Sequence, residues 1–149
     1  MARMMPSSTA GVNPTFNVAA KTSTDSNQLT VVGEAITVTA AQLTLNALFG
    51  NVRVPKGAEI AWVMLDVDDL DTNGSPTITL SIGDTGDDDR LLTANTAGQT
   101  GAVPVGPTVA KAGFGYRYTD ETLISVKVKA APATAAGGVI RYLVAFVSQ

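Results

Sequence analysis

The sharpest chemical pattern in this chain is a run of alternating oxygen-bearing side chains at residues 69–74, Asp-Leu-Asp-Thr-Asn-Gly. It matches the first six positions of a calcium-binding loop, where oxygen ligands recur on alternate residues and glycine permits a sharp bend. The twelfth position, which should be a bidentate glutamate, is Leu80, and Pro76 opens a strand. A helix-flanked calcium loop is therefore excluded. We favour a hairpin loop held by Asx-type hydrogen bonds. The alternative is a looser calcium site that uses Asp66, Asp69, Asp71 or Asn73.

A second acidic group consists of Asp84 and the run Asp87–Asp89. Paired carboxylates can hydrolyse glycosides, so a carboxylate-dependent hydrolase is one alternative function. Sugar subsites usually need aromatic side chains in a cleft, and Trp62 lies instead in a strand typical of a core. We therefore interpret the group as a solvated acidic loop, with Arg90 as its internal partner.

The residues needed for most other catalysis are absent. The 149 residues include no cysteine and no histidine, which excludes disulfides, thiolate metal sites, histidine metal sites and histidine-based catalytic triads. The glycines at 83 and 86 lack the following lysine of a phosphate-binding loop. We predict no catalytic residue, no metal site and no cofactor.

Charge and hydropathy limit the kinds of partner that this protein is expected to bind. Ten basic and thirteen acidic residues give a net charge of −3, and the basic residues are scattered singly, so nucleic-acid binding is not expected. No apolar run approaches the roughly 20 residues of a membrane helix, and no apolar stretch follows Arg3 as a secretory signal would require. We predict a soluble protein without a targeting segment, and the lack of cysteine suits a reducing cytoplasm.

Aromatic residues at 114, 116 and 118 alternate along the chain. Aromatic side chains on one face of a strand can stack on sugars, but more often they pack in the core or across strands. A carbohydrate- or receptor-binding module, which would use Tyr116, Tyr118 and the acidic loops, is the main alternative function.

The chain is predicted to consist of an extended N-terminal arm, residues 1–27, and a β-sandwich domain, residues 28–149. The arm is punctuated by Pro6, Gly11 and Pro14, and within it Phe16 and Val18 form an alternating apolar pair. From residue 28 onward, period-2 alternation or apolar runs predict about eight strands. These are residues 28–32, 35–39, 51–54, 59–67, 77–82, 114–118, 122–129 and 139–147. No βαβ alternation is present, so we predict an antiparallel β-sandwich or jelly roll.

Several segments carry more specific predictions. A turn is expected at Gly33-Glu34, and residues 40–50 fit either a strand or a short helix. Residues 59–67 are apolar on both faces, which indicates burial in the centre of a sandwich or under a partner chain. Lys127 and Lys129 are expected to protect an edge strand. The Gly/Pro/Thr-rich stretch at 95–113 is longer than most loops of compact domains, so we expect it to make contacts between subunits, as we do the arm.

Two stretches resemble small structural proteins of tailed phages. The stretches are KGAEIAWVMLDVDDLDTNGSPTITLSIGDTGDDDRLL and AGFGYRYTDETLISVKVKAAPATAAGGVIRYLVAFV, and the likeness spans about residues 56–147. The resemblance implies a bacteriophage virion component made in the host bacterial cytoplasm. With the resemblance, the alternative carbohydrate- or receptor-binding module would be part of a phage tail or fibre. More specifically, it implies a capsid decoration (cement) protein on the outside of the head, which binds the major capsid protein. It also implies a homo-oligomer, for which we expect a trimer rather than a dimer.

Overall fold

The computed structural model describes residues 28–148, so the predicted arm, residues 1–27, lies outside the described residues. These described residues contain eight strands. They are β1 (Leu29–Val38), β2 (Leu48–Val54), β3 (Glu59–Val67), β4 (Thr79–Gly83), β5 (Leu92–Asn95), β6 (Val105–Thr108), β7 (Thr122–Ala130) and β8 (Gly138–Val147). Two 3-10 turns, Ala40–Gln42 and Ala97–Gln99, are the helical elements of this part of the chain. The prediction of an all-β fold is confirmed.

The strands form two four-stranded antiparallel sheets. Sheet I has the order β1-β8-β3-β6 and sheet II the order β2-β7-β4-β5. The first strand pairs with the last, the second with the seventh, the third with the sixth and the fourth with the fifth, as in one long hairpin rolled onto itself. This is the strand order of a jelly roll. Within residues 28–148 no helix is long and apolar enough to cross a membrane.

The core lies between the two sheets and is built mainly by alternation along the strands, which bulges in β3 and β4 interrupt. Sheet I turns Val63, Leu65 and Val144 inward, and sheet II turns Val126 and Val128 to meet them, all fully buried. β-branched side chains suit this pleated surface because they pack well against their neighbours. Small apolar residues therefore suffice to fill the space between the sheets.

Tyr142 on β8 ties the two sheets together. Its hydroxyl donates to the carbonyl oxygen of Ile124 on β7 at 2.7 Å and accepts from the backbone N–H of Val52 on β2 at 3.3 Å. Burial raises the pKa of this phenol above its usual range, so the hydroxyl keeps its proton. Gly50, at a bulge of β2, leaves room for the ring.

The turn predicted at Gly33-Glu34 is wrong, because β1 runs through both residues without a break. Leu143 of the neighbouring strand lies over Gly33, where a Cβ would collide with it. The Glu34 carboxylate points to sheet II and accepts from the backbone N–H of Asn51 at 2.7 Å. Glycine and glutamate here serve contacts between strands, which local turn propensity does not reveal.

The strand predicted at residues 114–118 is also wrong. Residues 110–116 form a compact turn, and only Arg117 makes an isolated bridge, with Glu59. The stretch at 95–113 contains a 3-10 turn and β6, so it is shorter as a loop than expected. Gly106 (φ +101) and Pro107 lie within β6, and both residues depress strand propensity, which hid this edge strand.

Candidate interaction surface

Asp71 is a buried carboxylate that organises two loops. Its Oδ2 accepts from the backbone N–H groups of Thr77, Ile78 and Ala133 at 2.7, 3.1 and 2.9 Å, and its Oδ1 accepts from Thr134 at 2.8 Å. Burial by itself would raise the pKa of Asp71, but these hydrogen bonds outweigh it and hold the pKa well below its usual range. With both oxygens saturated by N–H donors, Asp71 is poorly suited to bind calcium.

The remainder of this loop follows the Asx pattern that we favoured. Asp69 accepts from the N–H of Asp71, and Asn73 accepts from the N–H of Ser75 at 2.8 Å. Asp66 is engaged elsewhere, with Arg141 at 2.8 Å. The loop is not a hairpin, however, because it joins β3 of sheet I to β4 of sheet II. The residues of the alternative calcium site are thus engaged in hydrogen bonds or ion pairs with different partners.

Asp84 is the centre of the second acidic group and faces inward. Arg90 contacts its Oδ2 at 2.7 Å, and the Tyr118 hydroxyl donates to the same oxygen at 2.7 Å. Burial would raise the pKa of Asp84, but the hydrogen bonds from Arg90, Tyr118 and the backbone lower it overall. The guanidinium also lies 4.0 Å from the centre of the Tyr116 ring. The expected role of Arg90 as an internal partner is therefore observed.

The three successive aspartates at 87–89 lie on the outside of sheet II. Their carboxylates come within 4.8 Å of one another. The carboxylate of Asp88 accepts hydrogen bonds from Nζ of Lys127 at 2.6 Å and from Nζ of Lys129 at 2.7 Å. These hydrogen bonds lower the pKa of Asp88. The lysines stand on β7, a central strand, so they do not protect an edge as predicted. They instead fasten the acidic loop to the sheet.

The three alternating aromatic residues do not share a face. Tyr118 is buried, and Tyr116 packs edge to face against it with ring centres 5.0 Å apart. Phe114 is 80% exposed at the tip of the turn. The turn is packed and hydrogen-bonded: Gly113 is buried against Arg90 and Leu91, and the N–H of Phe114 donates to the carbonyl oxygen of Ala110 at 3.1 Å. An aromatic side chain is thus held in solvent on a packed turn.

The outer face of sheet I is apolar as well. The register places Val31 of β1, Ala145 and Leu143 of β8, and Trp62 and Met64 of β3 on this face. Val31 is 46% exposed and Leu143 is 38% exposed. We predicted burial on both sides of residues 59–67. Within residues 28–148, only the inner side is covered by other parts of the chain. Exposed apolar patches of this kind are typical of interaction surfaces.

An open groove of about 630 Å³ runs along this outer face. Gly33 and Ala35 contribute to one side, and Met64, Leu143 and Pro104 to the other. Arg141 closes one end, where it bridges Asp66 and Asp68. Apolar surface makes up most of the lining, so the groove is suited to apolar side chains and offers little to a polar substrate.

These features indicate a class of protein. The candidate acidic groups hold loops in place, while apolar side chains are presented on strands and on a packed turn. Both features are typical of a structural protein. Sequence reasoning identified the acidic loops but did not single out Phe114 as exposed. The residues at 116 and 118 are aromatic as well, so residue type alone does not indicate which of the three rings faces solvent.

Comparison with solved structures identifies the family. The chain is similar to one in the capsid of Ralstonia phage GP4, with 30% identity over 87% of this chain and 90% of that one, and a TM-score of 0.69. It is also similar to one in the capsid asymmetric unit of cyanophage Pam1, with 28% identity over 93% and 98% of the two chains and a TM-score of 0.72. The chain belongs to this family of phage capsid proteins, and it is a structural protein of the phage head.

The fold extends to a more distant chain. One in the acid-stable capsid of the Helicobacter pylori bacteriophage KHP30 shares 21% identity over 83% of this chain and 94% of that one, with a TM-score of 0.50. At that identity the likeness shows the shared fold. No protein-family model and no curated protein sequence matches the chain.

Proposed function

We propose that this protein is a non-enzymatic decoration (cement) protein that binds the outer surface of the phage head and stabilises contacts between major capsid subunits. Its membership of a phage capsid family supports a role in the virion. The observation that carries the finer proposal is the exposed Phe114 on its packed turn. An aromatic anchor that is already ordered loses little entropy on docking, which is typical of residues that dominate binding energy.

The proposed docking surface combines this turn with the preceding segment, residues 95–113, and with the arm. Val103, 71% exposed, is a second apolar side chain in that segment. Burying apolar area across a joint between subunits contributes roughly 25 cal/mol per Å² before the costs of association. Many copies on one shell, and self-association into the trimer that we expect, would add avidity without new contacts.

Replacing Phe114 with alanine is expected to weaken binding to undecorated phage heads by about tenfold or more, which corresponds to roughly 1.4 kcal/mol for an exposed anchor that becomes buried. Lys111→Ala is the matched control, since Lys111 is exposed in the same turn. The measurement is the number of copies bound per head as a function of free protein. Equal binding by both variants and the unsubstituted chain would contradict the role of the turn.

Deleting residues 1–20 is expected to leave a folded protein that binds heads poorly. The core that the structure describes lies between Val38 and Phe146, so we expect the sandwich to fold without the deleted residues. Far-UV circular dichroism reports folding, and copies per head report binding. Unchanged occupancy would show that the arm makes no intersubunit contact.

The alternative function, carbohydrate or receptor binding, gains no specific support from the structure. It would need Tyr116 and Tyr118 on the surface, and Tyr118 is buried with its hydroxyl on Asp84. The hydrolase alternative would need two free carboxylates facing a cleft, whereas Asp66 is paired with Arg141 and Asp84 with Arg90.

A further inference from the structure

The outer face of sheet I presents an apolar groove that the described residues leave open. Each candidate occupant can be compared with the size of the face. Across its four strands the face is three interstrand spacings wide, about 15 Å, and about 30 Å long. A stable interface between two globular chains buries about 800 Å² on each partner, so face-to-face packing of two copies is poorly matched to it. A single extended segment fits these dimensions well.

The chain itself supplies such a segment. Residues 12–20, Val-Asn-Pro-Thr-Phe-Asn-Val-Ala-Ala, carry no charge, like the central part of the face. Nine extended residues span roughly 30 Å, the length of the face. In an extended backbone Phe16 and Val18 point to the same side about 7 Å apart, as two neighbouring apolar side chains in one groove must.

The connection to the sandwich permits this placement. The chain enters sheet I at Leu29, at the end of the face that is marked by Val147 and Glu59. Residues 21–28, Lys-Thr-Ser-Thr-Asp-Ser-Asn-Gln, are mostly turn-forming types and are long enough to reverse the chain direction. A segment tethered this closely has an effective concentration near the millimolar range, which favours its own chain over a second copy.

We propose that residues 12–20 fold back as a strap across the outer face of sheet I of the same chain, with Phe16 and Val18 in the groove beside Met64 and Leu143. The strap concerns the free chain and does not depend on the decoration role.

Trp62, the chain's single tryptophan, lies on this face and reports on the strap directly. In the full chain, free in solution, we expect its fluorescence to be shielded from acrylamide. Replacing Phe16 and Val18 together with serine is expected to raise the quenching constant about twofold and to shift the emission to the red, because the indole loses its apolar cover. The paired control, Thr15→Ser with Asn17→Ser, changes the opposite side of the same segment and should leave both readouts unchanged.

Two further measurements keep the outcome decisive. Leu143→Asp on the face should raise quenching as much as the substitutions in the arm, and the shielding should be constant over a roughly hundredfold range of protein concentration. Three results would each overturn the strap: unchanged quenching in the Phe16 and Val18 variant, shielding that disappears on dilution, which indicates a second copy, or shielding that appears only when phage heads are added, which indicates the capsid. Copies bound per head are measured separately, so failure of the strap and failure of the decoration role are distinguishable.

Discussion

Replacing Asp71 with asparagine is expected to lower the melting temperature at neutral pH by about 10 °C, because an amide nitrogen would face buried N–H donors that now share a carboxylate. Asp71 is 1% exposed and accepts from the N–H groups of Thr77, Ile78, Ala133 and Thr134. Whichever way the amide is turned, at least one of these donors loses its acceptor. The loops after β3 and β7 would then lose their common anchor.

The effect of this substitution should depend on pH in a defined direction. The folded pKa of Asp71 is well below its ordinary value, since the backbone hydrogen bonds outweigh the effect of burial. A carboxyl of this kind contributes stability above the unfolded pKa of about 3.9 and loses it as the pH falls towards the folded pKa. The difference in melting temperature between the unsubstituted chain and Asp71→Asn should therefore be constant from about pH 7 to about pH 5 and shrink below about pH 4.

Asp69→Asn is the matched control, because Asp69 is exposed, accepts one hydrogen bond from its own loop, and keeps an acceptor oxygen as asparagine. Its melting temperature should change by no more than about 2 °C, as for most surface substitutions. Thermal unfolding followed by circular dichroism measures both variants. Equal losses at the two positions, or an Asp71→Asn difference that widens in acid, would contradict the anchoring role.

The second large effect is expected at Gly50, where alanine should reduce the free energy of unfolding by about 3 kcal/mol through backbone strain and overpacking. Gly50 has φ +86, and a Cβ there would lie 2.6 Å from Cε1 of Tyr142. Either the ring or the β2 bulge must move, which breaks the hydrogen bonds that Tyr142 makes to Val52 and Ile124. The two sheets would then be joined less firmly.

Gly74→Ala provides the control for this substitution. A Cβ at Gly74 meets nothing within 4 Å, so the free energy of unfolding should change by less than about 0.5 kcal/mol. Urea denaturation of both variants gives the comparison. Similar values for Gly50→Ala and Gly74→Ala would show that Tyr142 is not clamped at the β2 bulge.

The strands were predictable where apolar alternation was strong. Residues 59–67, 77–82, 122–129 and 139–147 correspond closely to β3, β4, β7 and β8, because each must bury one face and the period of two reveals it. Prediction was wrong where local propensity and tertiary contacts disagree. Gly33 continues β1 because the strand pairs with β8 on both sides of it. Residues 114–116 belong to a turn although their aromatic residues favour strands.

The candidate acidic sites show the same division. That the loop at 69–74 is held by Asx-type hydrogen bonds follows from its residue types, since Asp and Asn bond to backbone two residues ahead. The hydrogen bonds that Asp71 accepts from Ala133 and Thr134 do not follow from residue types, because those donors are more than 60 residues away along the chain. Likewise, Lys127 and Lys129 form salt bridges with Asp88 only because the acidic loop folds over sheet II.

The sequence by itself determined that this is an all-β protein without the groups for histidine or cysteine chemistry, because composition and period-2 alternation are local properties of the chain. The tertiary structure alone decided which side chains are available to a partner. It places Tyr118 inside, Phe114 outside, and an apolar groove on the outer face of sheet I. Exposure depends on which strands come together across the whole chain, and the nested pairing of first strand with last joins residues more than 100 positions apart.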